Sequence, residues 1–133
     1  MSNRLEVEGR PPIENPDVAA IEDALARVGT EGSTFAILSR DDVSYIQTAI
    51  ALGEGFLLEY QEGSLEAHFR CPQILPRERV VEAFQKYARG DESWRAPLAW
   101  EKQSLVAGPA KAGGCLATAL LLLQILILER IPK

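Results

Sequence analysis

The chain has one histidine, His68, with Glu66 and Arg70 two residues away on either side and Glu59 on the preceding apolar segment. A carboxylate beside an imidazole orients the ring and favours its protonated form, the pairing that general acid–base work requires. Alternating charges are also the ordinary dress of the solvated face of an antiparallel sheet, and that plainer reading is the expected one. No nucleophile accompanies the histidine: Ser64 falls in a turn-forming stretch, and neither Cys71 nor Cys115 belongs to a nucleophile motif. The two cysteines are 44 residues apart, which fits no short metal-ligand or CxxC spacing, so two reduced thiols are expected. Asp41-Asp42 and Asp91-Glu92 stand where turns and helix ends normally place acids, and they imply no metal. Gly53 and Gly55 lack the third glycine and the following helix of a phosphate loop, and Gly113-Gly114 precedes only an apolar run. The residue chemistry therefore implies no catalytic residue, no metal and no cofactor, and a protein that is not an enzyme. A small enzyme using His68 with Glu59 or Glu66 is the alternative in that class.

The elements that position these residues follow from periodicity. Residues 1–15 are polar, contain Pro11 and Pro12, and read as a loose leader. Asn15, Pro16 and Asp17 form a helix start for a helix over 16–28, whose stripe is Val18, Ile21, Leu25 and Val28 and whose stop is Gly29. Four β-prone segments follow, at 34–39, 43–50, 56–60 and 65–71. In the second, Val43, Tyr45, Gln47 and Ala49 share a face; in the fourth, Leu65, Ala67, Phe69 and Cys71 oppose Glu66, His68 and Arg70. A second amphipathic helix is predicted over 76–89, ended by Gly90, and an edge segment bearing Trp94 and Trp100 seals the core. The expected fold is α+β in two layers, an antiparallel four-strand meander flanked by two helices, with a C-terminal apolar helix beyond it. The expected divisions are 1–15, 16–103 and 104–133.

Composition bounds the whole. A chain of 133 residues, 47% hydrophobic and 25% charged, matches one globular domain. A net charge of −5 opposes broad contact with phosphate backbones, so nucleic acid is not an expected partner. The amino end lacks the apolar region of a secretory signal, which implies a cytoplasmic body. Residues 1–103 hold 11 basic and 18 acidic groups, a net of −7, whereas 104–133 hold three and one. Residues 112–128 form 17 consecutive positions without a formal charge, about 25 Å as a helix, the lower limit for crossing a bilayer. Three readings suit this tail: a buried or homo-oligomer-forming helix, a membrane anchor through residues 112–128, or an end foreign to the domain.

The succession Asp42-Val43-Ser44-Tyr45-Ile46-Gln47, Gly55-Phe56-Leu57-Leu58-Glu59-Tyr60-Gln61, His68-Phe69-Arg70, Val80-Val81-Glu82-Ala83-Phe84 and Tyr87-Ala88-Arg89-Gly90-Asp91-Glu92-Ser93-Trp94-Arg95 resembles small bacterial α+β proteins. These are similar in layout to the Imm1-like immunity proteins of polymorphic toxin systems. The resemblance covers roughly residues 16–102 and includes no catalytic motif. It implies a non-enzymatic module that binds a protein partner, a toxin, and an acidic surface suits a basic toxin through electrostatic steering. The expected partner-facing residues are Glu59, Glu66, His68 and Arg70, on the outward face of the sheet. A membrane-tethered domain is the reading from another class.

Overall fold

Asp17, rather than Asn15, starts the first helix: its side chain accepts from the Ala20 amide at 2.8 Å from an extended backbone. Asn15 has the left-handed φ of 49° and closes a hairpin instead, its amide donating to Asn3 O at 2.7 Å and its Oδ1 accepting from Asn3 N at 3.1 Å. This hairpin corrects the expectation of a loose leader. In the computed structural model, which describes residues 2–30, 33–51 and 54–103, β1 (Arg4–Val7) and β2 (Ile13–Glu14) belong to the sheet. The reason is alternation over four residues: Leu5 and Val7 point into the core, while Arg4 and Glu6 take the other face.

Helix α1 (Val18–Arg27) buries Ile21, Ala24 and Leu25, whereas Val18 stays 52% exposed. Strands β3 (Phe35–Ser39), β4 (Tyr45–Ile50), β5 (Phe56–Gln61) and β6 (His68–Arg70) form the expected meander. Helix α2 (Arg77–Arg89) follows, then a 3-10 turn at Glu92–Trp94 and a last strand, β7 (Glu101–Gln103). Among the described residues the sheet thus has seven strands rather than four, all antiparallel, in the order β2-β1-β3-β4-β5-β6-β7. The expected C-terminal helix, its membrane-anchor reading and Cys115 lie outside the described residues. Among the described residues, no helix is long and apolar enough to cross a membrane.

Strand β6 is shorter than its apolar alternation suggests. Glu62 N donates to Ala67 O and Ala67 N to Ser64 O, so 63–66 become the turn and Leu65 is 51% exposed. Val43 likewise belongs to the β3–β4 turn, its amide held by Asp41 Oδ1 at 2.9 Å.

Both helices pack on one sheet face, where Leu38, Ile46, Leu58, Val80, Phe84 and Tyr87 are among the residues at 0–2% exposure. Arg77 joins the helices to each other: it donates to Leu25 O and, at 2.9 Å, to Val28 O, satisfying carbonyls at the end of α1. Gly90 ends α2 in the left-handed conformation that a side chain would strain, φ 76°, with its amide on Tyr87 O at 3.1 Å. Trp94 then meets Tyr60 edge-on at 5.0 Å, and Trp100 meets both Tyr60 (4.8 Å) and Trp94 (5.7 Å), closing the β7 end of the core.

Candidate functional site

Antiparallel register places directly opposed residues on the same face, so the face away from the helices can be read in rows across the strands. One row runs Arg4, Ser39, Tyr45, Gln61, His68, Gln103; the next runs Glu6, Ile37, Gln47, Glu59, Arg70, Glu101. A third pairs Phe35 with Ala49 and Leu57. Polar side chains from three strands therefore converge where the first two rows meet.

At that point His68 Nε2 lies 2.6 Å from Glu59 Oε1 and Nδ1 lies 3.2 Å from Gln61 Oε1. The Gln61 amide is oriented by its own donation to Val43 O at 3.1 Å, and its Oε1 also accepts from the Tyr45 hydroxyl at 3.2 Å. Gln47 donates to Glu59 Oε1 at 3.4 Å. Because Gln61 Oε1 only accepts, Nδ1 is the protonated nitrogen facing it. One further proton must then lie between Nε2 and the carboxylate, since two lone pairs would repel at this separation. On either atom it leaves the pair with no net charge. All five side chains are buried: His68 and Gln61 are 1% exposed, Gln47 2%, Glu59 3% and Tyr45 8%. Buried polar groups of this kind are tolerated when they find partners, and the network supplies them to Tyr45, Glu59, Gln61 and His68 and to the Gln47 amide nitrogen, though not to Gln47 Oε1.

Two of the four expected partner-facing residues, Glu59 and His68, thus meet each other, and neither faces water. Arg70 shares their face but turns to Glu101 on β7, 3.8 Å away. Glu66 lies apart from all three, exposed in the β5–β6 turn. Sequence reading had no partner for Glu59 beyond His68; the glutamines at 47 and 61 were the available signal, because each falls on the same alternation as the charged residues. Ser64 is exposed in that turn and Cys71 is fully buried on the helix side, so neither approaches the imidazole. Two grooves, of about 490 Å³ between α1 and α2 and about 270 Å³ between α1 and the β1–β2 hairpin, are lined by other residues. Among the described residues no group of three or more His, Cys, Asp or Glu is placed to hold a metal ion.

A second constellation forms at the end of the sheet that carries the β3–β4 and β5–β6 turns. Gly63 N donates to Ser44 Oγ at 3.0 Å, tying the two turns side by side. Arg40 reaches across to Tyr87 O at 3.2 Å and to Glu92 at 3.4 Å, while Arg95 bridges Glu62 and Glu92. The acids Asp41, Asp42, Glu62, Glu66, Asp91 and Glu92 therefore collect at one end, with Arg40 and Arg95 already engaged by carboxylates. Burial raises the Tyr87 hydroxyl far above the ordinary tyrosine range, partly offset by Arg40, and Glu62, Asp41 and Glu92 add to the rise. Asp91 is held below its usual value mainly by the Ser93 amide and hydroxyl. Val43 and Leu65, 39% and 51% exposed, stand among these charges. Comparison with protein families, curated proteins and solved structures yields no match.

Proposed function

We propose that this chain is a non-enzymatic protein-binding module of the immunity type, which docks a basic protein partner, a toxin, against the acidic end of its sheet. The observation that carries this reading is the gathering of Asp41, Asp42, Glu62, Glu66, Asp91 and Glu92 around the exposed Val43 and Leu65. Glu62, Glu92 and Asp91 are paired with Arg95, Arg40 and Arg89, so it is chiefly the charge of Asp41, Asp42 and Glu66 that steers a basic partner from a distance, and apolar side chains set among them provide contact area once the surfaces meet. The Glu59–His68 pair supports the sheet beneath; Glu66 is the one of the four expected contact residues that stands at this surface.

The test is isolation of the bound protein from the source cells followed by reconstitution from purified components. The expected result is a complex that inhibits the partner's activity, whose association slows with added salt, and which the Asp41→Asn/Asp42→Asn/Glu66→Gln protein forms far more weakly while keeping the parent's circular dichroism. A partner that is not basic, or a complex indifferent both to salt and to those three substitutions, overturns the proposal.

A further inference from the structure

Helices α1 and α2 run antiparallel and are clasped at both ends. Gln85 Nε2 donates to Val18 O at 3.1 Å at one end, and Arg77 donates to Val28 O at 2.9 Å at the other. Between the clasps lies the groove of about 490 Å³. Its apolar lining is Ala26, which is exposed, and Val81, which packs against the core. Val18, 52% exposed, and Ala26 stand two steps of four residues apart, with Glu22 between them, so the three share one face of α1.

The charge of the groove is one-sided. Glu22 lines it from α1, and Glu78 and Glu82 line it from α2. Arg77, the one basic residue of the lining, is turned into the carbonyls that end α1 and lies over the Phe56 ring, 4.7 Å from its centroid. Lys86 answers Glu82 at 3.3 Å. Among the described residues Glu22 and Glu78 form no ion pair, and both are exposed. These carboxylates repel an anionic lipid surface or a phosphate backbone. A second copy docked about a two-fold axis would set the same acids against each other. The apolar residues between the acids, in turn, ask for more than a lone cation.

We propose that this groove docks a short amphipathic helix of a protein partner, with an apolar residue on each turn against Ala26 and Val81 and with Lys or Arg on both flanks toward Glu22 and Glu78. From Arg77 to Gln85 the axis of α2 rises about 12 Å, room for about two turns of such a helix. None of the acids at the end of the sheet lines this groove, so the inference stands apart from the docking surface described there.

The probe is a fluorescein-labelled, amidated peptide of about fourteen residues, long enough to form a helix, with Leu at helical spacing on one face, Lys on both flanks and Ala elsewhere. It is titrated into the full chain by fluorescence anisotropy, and its contact surface is mapped by amide shifts of isotope-labelled protein. Saturable binding is expected, with shifts centred on residues 18–27 and 77–85. The Glu22→Gln/Glu78→Gln protein should bind about tenfold more weakly, the effect of losing two exposed charge pairs. Ala26→Phe, at an exposed position, should fill the groove and abolish binding while keeping the parent's circular dichroism. A peptide of the same composition with its Leu and Lys positions scrambled should bind much more weakly than the amphipathic one. Absence of saturable binding up to about 1 mM, equal affinity for the scrambled peptide, shifts centred on the 40–44 and 62–67 turns instead, or unchanged affinity in either folded variant overturns the proposal.

Discussion

His68 and Glu59 are coupled through one proton, and each is the reason the other can be buried. Removing one member leaves a polar or charged group without its partner in a dry site, a loss of about 3–5 kcal/mol for buried pairs. His68→Ala is therefore expected to lower stability by that order in urea unfolding. The double Glu59→Leu/His68→Phe protein should lose less than the sum of the single changes, because it removes both polar groups together. Glu6, on the same face, gives a pH-dependent case. Burial raises its carboxyl above the ordinary 4.5, with Arg4 opposing and Glu14 adding to the rise. The folded chain thus holds this proton to higher pH than the unfolded chain, and Glu6's contribution falls as pH rises from about 4.5 through the raised value. Glu6→Gln should gain stability relative to the parent as pH increases across that window, seen as a widening gap in unfolding midpoints; a gap that narrows would contradict this account.

At the scale of elements, the start of α1 shows how closely competing signals can lie. Asn15 and Asp17 are both good capping residues, and Pro16 suits a first helical position if the cap is Asn15. The hairpin takes Asn15 for Asn3, which leaves Asp17 as the cap two residues on. Asp17→Ala is expected to cost about 1 kcal/mol, the usual worth of a cap, measured by thermal or denaturant unfolding. Asn15→Gly, which relieves a positive φ while keeping the backbone bond to Asn3, should cost less. The same competition shortens β6: Leu65 fits an alternating strand, but the amide of Glu62 closes on Ala67 and leaves Leu65 in the turn.

Over the molecule as a whole, charge and layering are set by different things. Residues 1–103 carry a net of −7, so the folded body repels itself at low ionic strength. Raising salt from about 10 mM to about 150 mM shortens the screening length from about 30 Å to about 8 Å, and the melting temperature should rise. A fall would mean that the local pairs Arg95–Glu62 and Arg40–Glu92 outweigh the surplus of acids. The charge imbalance, both helices, the alternation of β3 to β5 and the position of Gly90 were legible in the chain, because each depends on residue type and spacing over a few positions; for His68 the sequence left Glu59 and Glu66 both open as partners. Strands β1 and β7 were not, since two to four residues become a strand only when a neighbouring edge offers partners. Nor was the burial of Glu59 and His68, because alternating charges look the same on a wet face and a covered one. Tertiary structure decided that Gln47, Gln61 and Tyr45 would come into register with them and that acids spread along the chain from Asp41 to Glu92 would gather at one end. Those outcomes depend on strand register and chain crossing, long-range geometry that no local pattern of residues encodes.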